Sequence, residues 1–437
     1  MSLFETDRPD SWQACLSCSE EMVETDPRTR CPCGGLLEVR HRQPTTTGDG
    51  LRRLLDGRLG YPGPLAASGV WRFRELVMPT VGSEEIITHP EGVTPLLVRA
   101  PVTQYAGVAS LRLKHEGHNP TGSFKDRGMT VGVTQAVRTG ARAVACASTG
   151  NTAASLAAYA AQAGLPAYVL MPAGKVAIGK LAQTVAYGAR TIAVKGDFDA
   201  CLRLLEEVAP SAGVYLVNSI NPFRVEGQKT IVFDLLQQMG WDVPDWIVLP
   251  AGNLGNTAAF GKALEEAMAW GLIDRLPRVA AIQAEGAAPF AAGFTEGFAT
   301  RHRVNAETIA TAIRIGDPAS WDRAVKTIRL TDGVVVKVSD AAILDAKRVI
   351  DRAGVGCEPA SAASVAGVKH LVANGTIRPG ASVVAVLTGH VLKDPEILMA
   401  AAGSAPAAIE ATPDAIRRAL TQEGTTASGL SRPPHPT

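Results

Sequence analysis

Residues 118–128 read His-Asn-Pro-Thr-Gly-Ser-Phe-Lys-Asp-Arg-Gly and contain the most informative lysine of the chain, Lys125. Asn-Pro and Thr-Gly predict a turn, and Ser123 is a candidate cap for a helix that follows it. Lys125 then lies in the first turn of that helix, where the helix dipole disfavours a positive charge. This position beside Phe124 favours a lowered pKa, as a nucleophilic lysine needs; the alternative is an ordinary solvated surface lysine.

Strands and helices alternate on the C-terminal side of this turn. Residues 141–148 (ARAVACAS) and 166–172 (PAYVLMP) predict buried strands with a small-residue helix between them. The alternation restarts at residues 245–253 (DWIVLPAGN) and closes at 381–390 (ASVVAVLTGH). The pattern predicts an α/β protein with two doubly wound open-sheet domains, because such alternation is typical of parallel sheets covered by helices.

The string Gly-Asn-Thr-Ala-Ala occurs twice, at residues 150–154 and 255–259. Each copy follows an apolar strand and opens a predicted helix, whose N-terminus offers unpaired N–H groups to an anion. Two such helix ends, one in each domain, could bind a ligand with two anionic groups. The alternative is that Gly-Asn serves only to begin a helix.

The segment around Lys125 closely resembles the cofactor-lysine segment of the tryptophan synthase β-type family, fold type II of the pyridoxal-phosphate (PLP) enzymes. Within that family it is similar to the threonine synthases. Four further motifs occur in the order that the family shows: residues 92–96 (Gly-Val-Thr-Pro-Leu), 148–151 (Ser-Thr-Gly-Asn), 250–257 (Pro-Ala-Gly-Asn-Leu-Gly-Asn-Thr) and 387–390 (Leu-Thr-Gly-His). The resemblance covers most of residues 90–395, and the agreement of five motifs makes it specific.

The resemblance implies a role for each of these segments. Lys125 is expected to carry the cofactor covalently, with Phe124 beside it, and Asn151 to lie at the cofactor's phenolic oxygen. The substrate carboxylate is expected at Ser148, Thr149 and Gly150. The cofactor phosphate is expected at Gly252, Asn253, Leu254, Gly255 and Asn256. Thr388 is expected at the pyridine nitrogen, where a neutral hydroxyl would make the cofactor a milder electron sink than a carboxylate would.

Residues 218–230 narrow the substrate class. In threonine synthases the residues that match Ser219, Asn221 and Arg224 hold the phosphate of O-phosphohomoserine. Arginine suits this role because its planar guanidinium can bind phosphate through two parallel hydrogen bonds. The alternative is a helix start with structural ion pairs, from Arg224 to Glu226 or to Asp234.

Four of the seven cysteines, Cys15, Cys18, Cys31 and Cys33, lie close together near the N-terminus. Two tight pairs of thiolates suit a tetrahedral zinc ion, although the second pair is Cys-x-Cys where Cys-x2-Cys is usual. The alternatives are a ribbon that has lost its metal, or free thiols. Threonine synthases of this branch often begin with such an element. The other three, Cys146, Cys201 and Cys357, lie in apolar segments and are predicted to be inert core thiols.

Composition excludes several classes of protein. The chain has 437 residues, of which 46% are hydrophobic, with 43 Lys and Arg against 42 Asp and Glu. A balanced charge argues against nucleic acid as a partner, and no apolar run reaches the roughly 20 residues of a membrane span. The N-terminus lacks the apolar core of a signal peptide, so a cytoplasmic location is expected.

The predicted organisation has four parts. Residues 1–45 form a short Cys-rich ribbon, residues 46–117 with 221–402 a large PLP domain, residues 118–220 a small domain that carries Lys125, and residues 403–437 a C-terminal tail. A homodimer is one assembly that such a chain could form, and the sequence does not decide it.

The resemblance implies a threonine synthase activity: PLP-dependent conversion of O-phospho-L-homoserine and water to L-threonine and phosphate. Two enzymatic alternatives stay open, a cysteate-synthase-like β-replacement on O-phosphoserine and a threonine or serine dehydratase in which Arg224 is structural. A non-catalytic protein of the same fold is a further alternative, against which the intact Lys125 argues.

Overall fold

The computed structural model describes residues 10–174, 178–402 and 408–421. The strands are β1 (Ser11–Cys15), β2 (Glu21–Val23), β3 (Leu37–His41), β4 (Leu96–Leu97), β5 (Ser110–His115), β6 (Ala143–Ala147), β7 (Ala167–Pro172), β8 (Arg190–Val194), β9 (Val214–Leu216), β10 (Trp246–Pro250), β11 (Arg278–Ala284), β12 (Val334–Val338) and β13 (Ser382–Leu387).

The helices are α1 (Gly48–Asp56), α2 (Pro64–Ala67), α3 (Arg74–Val77), α4 (Ala100–Ala106), α5 (Lys125–Arg138), α6 (Asn151–Gln162), α7 (Ile178–Ala186), α8 (Phe198–Val208), α9 (Pro222–Gln238), α10 (Gly255–Ala269), α11 (Pro289–Thr295), α12 (Trp321–Leu330), α13 (Asp340–Arg352), α14 (Pro359–Ala373), α15 (Pro395–Ala402) and α16 (Pro413–Thr421).

Two parallel sheets dominate the fold. The larger has six strands in the order β12-β11-β10-β13-β5-β4, of which only β4 runs antiparallel to its neighbour. The smaller has the order β8-β7-β6-β9 and is parallel throughout. Every residue of β6 and β10 is buried, as expected where helices cover both faces of a parallel sheet. The predicted fold class, two doubly wound open sheets, is confirmed.

The N-terminal ribbon is a three-stranded antiparallel sheet in the order β2-β1-β3. It contacts α5 and α9. Arg138 of α5 and Glu24 form an ion pair of 3.0 Å, and His41 lies 2.6 Å from Glu226 of α9. The ribbon therefore packs against the same two helices that begin at Lys125 and Pro222.

The contacts within the chain define two compact units, Met1–Asp394 and Pro395–Thr437. The ribbon and both parallel sheets belong to the first unit. The described part of the second contains α15 and α16. Among the described helices, none has the length and apolar character needed to cross a bilayer.

Helix α9 is buried from Pro222 to Gln237 and still carries charged residues. Asn221 caps its N-terminus by accepting hydrogen bonds from the amides of Phe223 and Arg224, and Pro222 follows in the first turn. Near its other end, the Asp234 carboxylate accepts hydrogen bonds from Arg72, from Lys114 at 2.8 Å and from Arg127 at 2.6 Å.

Burial alone would raise the pKa of Asp234, but Lys114, Arg127 and Arg72 outweigh it and hold that pKa well below its usual range. Arg127 also binds both carboxylate oxygens of Glu116, at 2.7 and 2.8 Å. The two acids thus compensate three buried cations, and they join α9 to α5 and β5.

We expect Asp234→Asn to lower the free energy of unfolding by about 3–5 kcal/mol, because it leaves buried cations without their counter-charge. Urea denaturation followed by tryptophan fluorescence measures the change. Asp49→Asn is the matched control, since Asp49 is exposed and its pairing with Arg52 contributes about 1 kcal/mol at most. Equal stability of the two variants would contradict this account of α9.

Candidate active site

Lys125 is the first residue of α5, and its side-chain nitrogen lies 4.1 Å from the centre of the Phe124 ring. Burial and then the Arg224 guanidinium lower the pKa of Lys125 to about 7, against an opposing effect of Glu358. Ser123 is not the N-cap that the sequence predicts: Phe124 occupies that position, and the Ser123 hydroxyl accepts a 3.4 Å bond from the Lys125 amide. Near neutral pH a large fraction of Lys125 is therefore the uncharged, nucleophilic amine.

The Asp126 carboxylate fixes the turn that precedes Lys125. It accepts hydrogen bonds from the amide and hydroxyl of Thr121, at 2.7 and 2.6 Å, and from the Ser155 hydroxyl of α6 at 2.6 Å. Burial raises the pKa of Asp126 to about 6. These contacts hold the beginning of α5 against α6, whose first residue is Asn151.

Residues 148–150 connect β6 to α6. The Ser148 amide donates to the Leu170 carbonyl at 3.1 Å, and the Gly150 amide donates to the Ser148 hydroxyl at 3.2 Å. Ser148, Thr149 and Gly150 are all partly exposed. The first-turn amides of α6 have no acceptor within the helix, so they can serve an anionic group beside these residues.

Glu358 is a residue of this site that the sequence prediction missed. It occupies the N-cap position of α14, and its carboxylate accepts a 3.0 Å hydrogen bond from the Asn151 side chain. The other carboxylate oxygen lies 3.3 Å from the hydroxyl of Thr388, which follows β13. Cys-Glu-Pro before a helix indicates only a helix start, so the sequence gives no sign of these two contacts.

The loop from β10 to α10 contains the predicted cofactor-phosphate residues. Leu254 adopts a left-handed conformation, with φ of 63°, at the N-cap of α10. At Gly252 a Cβ atom would lie 2.8 Å from the Ile313 backbone, so the loop requires glycine there. The Asn253 side chain donates to Ser219 at 2.6 Å and accepts from the Ala319 amide at 2.7 Å, so it points toward residue 219.

The first turn of α10 contains buried polar atoms that have no hydrogen-bond partner among the described residues. Both side-chain polar atoms of Asn256 and the Thr257 hydroxyl are buried without a hydrogen-bond partner among the described residues. The helix begins at Gly255, whose neighbouring first-turn amides also lack intrahelical acceptors. Unpaired donors at a helix N-terminus fit a phosphate group, so these residues can hold the cofactor phosphate that the sequence assigns to them.

Arg224 is fully buried in the first turn of α9. Its Nη1 donates to the Val217 carbonyl at 3.1 Å, whereas Nε and Nη2 have no partner among the described residues. The ion pairs with Glu226 or Asp234 that the sequence left open do not occur in the structure, because these acids bind other cations. Burial lowers the pKa of Arg224 to about 10.

Asn221 lies at the N-cap of α9. Its carboxamide oxygen accepts from two α9 amides, and its nitrogen donates to the Leu216 carbonyl at 2.8 Å. Both polar atoms are thus bound to backbone, and Asn221 is the N-cap of the helix that carries Arg224, while its contact with a substrate phosphate stays a prediction. Ser219 keeps its hydroxyl next to Asn253.

Comparison with known proteins shows the family of this chain. Residues 87–389 match the family model described as "Pyridoxal-phosphate dependent enzyme". The chain is 43% identical over 409 residues to a threonine synthase of Methanosarcina acetivorans, covering 93% of this chain and 98% of that protein. It is 42% identical to a threonine synthase of Methanocaldococcus jannaschii, covering 93% and 99%.

The chain belongs to the threonine synthase family of pyridoxal-phosphate dependent enzymes. The fold is also similar to the crystal structure of Escherichia coli threonine synthase, with a TM-score of 0.69, 19% identity and coverage of 93% and 94%. Maize serine racemase is similar with a TM-score of 0.63, 20% identity and coverage of 76% and 96%. At these identities the two structures support the fold alone.

In this member of the threonine synthase family, the four ribbon cysteines converge. The sulfur atoms of Cys15, Cys18, Cys31 and Cys33 all lie within 4.8 Å of one another. The Cys15–Cys33 and Cys18–Cys31 sulfur distances are 3.5 and 3.6 Å. Tetrahedral zinc with Zn–S bonds of about 2.3 Å holds its sulfurs about 3.8 Å apart, so the geometry fits zinc.

We expect covalent attachment of pyridoxal phosphate to the cofactor-free chain to accelerate with pH around a midpoint near 7, because the neutral Lys125 amine is the nucleophile. Arg224→Ala removes a positive charge that lowers the Lys125 pKa, so its midpoint should move to higher pH. Stopped-flow absorbance measures the rate, and Lys125→Ala is the control that should not attach the cofactor. A midpoint near 10 in the unmodified chain would contradict the lowered pKa.

Proposed function

We propose that the chain is a threonine synthase that converts O-phospho-L-homoserine and water to L-threonine and phosphate. Relatives named threonine synthase at 42–47% identity support this activity. In this reaction a C–O bond at Cγ breaks and releases phosphate, and water supplies a hydroxyl to Cβ and a proton to the product. The site must therefore bind an amino acid carrying a phosphate group, and it must move protons at Cα, Cβ and Cγ.

The observation that carries the proposal is the buried guanidinium of Arg224, which has no anionic partner among the described residues. A buried charge without a partner costs several kcal/mol, which a bound anion would offset. The proposed cofactor-phosphate residues, in the loop before α10 and in its first turn, have unpaired polar groups of their own, so Arg224 is assigned to a second anion. We assign Arg224, with the Ser219 hydroxyl, to the phosphate of the substrate, and Asn221 to holding the helix end in place.

Lys125 has two tasks in this proposal: it binds the cofactor covalently, and once released it takes the α-proton of the substrate. Pyridoxal phosphate, when bound, supplies an electron sink for the negative charge left at Cα. Gly252, Asn253, Leu254, Gly255 and Asn256, as the loop before and at the start of α10, are assigned to its phosphate. Asn151 is assigned to its phenolic oxygen, Thr388 to its ring nitrogen, and Phe124 to the side next to Lys125.

The remaining residues bind and orient the substrate. Ser148, Thr149 and Gly150 at the start of α6 are assigned to the α-carboxylate. The phosphate that leaves Cγ stays close to Arg224 and Ser219, where it can accept a proton from the water that attacks Cβ. Retention of this product would give the site a base at Cβ that no side chain needs to supply.

Two other activities use much of the same site. A β-replacement on O-phosphoserine would use the same phosphate contacts with a substrate one carbon shorter. A threonine or serine dehydratase would need no phosphate contact, and would leave the unpaired Arg224 without a function. We therefore favour a phosphorylated substrate, and among these O-phosphohomoserine because of the relatives.

Arg224→Ala tests this proposal against its alternatives. A charge-assisted contact contributes about 1.5–3 kcal/mol, so we expect turnover of O-phosphohomoserine to fall at least tenfold while the cofactor still attaches at Lys125. Lys should replace Arg224 poorly, because it cannot form the paired hydrogen bonds of a guanidinium. Inorganic phosphate should inhibit the unmodified chain and inhibit the Ala variant much less.

The measurement is the release of phosphate and threonine from O-phosphohomoserine, with O-phosphoserine, L-threonine and L-serine as comparison substrates. Arg348→Ala is the control, since Arg348 is an exposed arginine paired with Asp345. Threonine formation by an Arg224→Ala chain at the normal rate would refute the assigned phosphate contact. Release of phosphate from O-phosphoserine alone would instead favour the β-replacement.

We further propose that Cys15, Cys18, Cys31 and Cys33 bind a structural zinc ion, that residues 46–117 with 221–402 and residues 118–220 act as the large and small domains, and that the chain works in the cytoplasm. A homodimer stays a prediction. The zinc assignment is supported by the sulfur distances, and the separation of the cysteines from every proposed cofactor residue in the sequence indicates a stabilising role.

Metal analysis of chain purified without chelator should find about one zinc ion per molecule, and Cys18→Ser should lose it, because three thiolates bind zinc more weakly than four. The rate of cofactor attachment at Lys125 should be unchanged. Cys201→Ser is the matched control, a cysteine of α8 outside the cluster. Absence of zinc with four freely reactive ribbon thiols would remove the metal and leave the proposed catalysis intact.

A further inference from the structure

Glu358 connects the start of α6 to the end of β13, the two places that carry the proposed contacts with the cofactor ring. One carboxylate oxygen accepts from the Asn151 side chain of α6 at 3.0 Å, and the other accepts from the Thr388 hydroxyl after β13 at 3.3 Å. The residue is buried, and its own amide donates to the Gly389 carbonyl at 3.1 Å. Its side chain is thus held at one end by backbone and at the other by the two predicted ring contacts.

Gly389 and Ser361 surround the Glu358 carboxylate and leave room for it between Asn151 and Thr388. A Cβ atom at Gly389 would lie 2.4–2.6 Å from the Glu358 carboxylate, so glycine at that position makes room for it. The Ser361 hydroxyl, in the first turn of α14, shares a 3.1 Å hydrogen bond with the Thr388 hydroxyl. It also accepts a 2.9 Å hydrogen bond from the Gly389 amide. Thr388 therefore has two polar partners on α14, and both are fixed by the helix start.

The charged groups around Glu358 are mostly cations. Burial raises the pKa of Glu358 above its usual value; the Asn151 hydrogen bond, Lys393 after β13 and Lys125 of α5 oppose this rise without cancelling it. The pKa of Lys125 is lowered by burial and by Arg224 of α9, and Glu358 acts in the opposite direction. The thiol of Cys357, next in the chain, is buried and has its pKa raised above the usual range, so it adds no charge.

We propose that Glu358 is a positioning residue of the active site, which orients Asn151 and Thr388 toward the cofactor ring and supplies the negative charge that partly offsets Arg224 at Lys125. The proposal rests on the proposed attachment of pyridoxal phosphate to Lys125. A carboxylate that joins both ring contacts couples them, because a shift of α6 relative to β13 must break one of its two hydrogen bonds. Neither Asn151 nor Thr388 has another carboxylate partner among the described residues.

Glu358→Gln tests the charge without changing the shape of the side chain. Removal of the negative charge should lower the Lys125 pKa further, so the pH midpoint for cofactor attachment should move down by about half a pH unit or more. This direction is opposite to the shift expected for Arg224→Ala. Glu285→Gln is the matched control, since Glu285 is exposed and paired with Lys337, and its midpoint should equal that of the unmodified chain.

Glu358→Ala tests the orientation of Asn151 and Thr388. We expect the dissociation constant of pyridoxal phosphate, measured by quenching of tryptophan fluorescence, to rise about tenfold because two hydrogen-bond partners are lost. A Glu358→Gln chain with the unmodified midpoint and the unmodified cofactor affinity would overturn the proposal, whether or not the Ala variant folds. Cofactor attachment at a lysine other than Lys125, found by borohydride reduction and peptide mapping, would instead overturn the proposed function itself.

Discussion

The Asp234 carboxylate binds Arg72, Lys114 and Arg127 where solvent does not reach, and this contact fixes the relative position of the two helices that matter most for chemistry. Arg127 lies two residues after Lys125 at the start of α5, and Asp234 lies on α9, the helix that begins next to Arg224. A rearrangement of this ion network would therefore move the proposed nucleophile relative to the proposed phosphate contact. Such a network contributes more to geometry than to net stability, because the desolvation of its charges consumes most of the attraction.

Several helices begin at the proposed site, and two of them carry a cationic side chain in the first turn. Lys125 and Arg224 both lie in the first turns of helices, whose dipoles add to the positive charge there, and α6 and α10 also begin at proposed ligand positions. Burial and then Arg224 lower the Lys125 pKa, and Arg224 has no carboxylate partner among the described residues. Both features favour a ligand with several anionic groups. A phosphorylated amino acid bound with a phosphorylated cofactor satisfies that requirement better than either would alone.

Much of this site could be predicted from the sequence because its chemistry is local. The segment around Lys125 and the two Gly-Asn-Thr-Ala-Ala helix starts carry their structure within a few residues, and the structure has helices beginning at Asn151 and Gly255 as expected. The role of Asn221 could not be predicted, because an asparagine before a proline serves equally well as a helix cap and as a ligand. Glu358 was missed since its partners lie 207 and 30 residues away, and no local pattern indicates such contacts.

The ribbon has no proposed cofactor or substrate contact, but it touches the helix that carries Arg224. His41 contacts Glu226, two residues beyond Arg224, and burial followed by Lys229 lowers the pKa of His41 to about 3. A neutral His41 must donate its Nε2 proton to the Glu226 carboxylate, because a carboxylate only accepts. Glu226 also binds Lys229 at 2.5 Å, so the ribbon holds the first turns of α9 through a group that carries no net charge of its own. The ribbon thereby contacts the helix that carries Arg224 without contributing a charge to the active site.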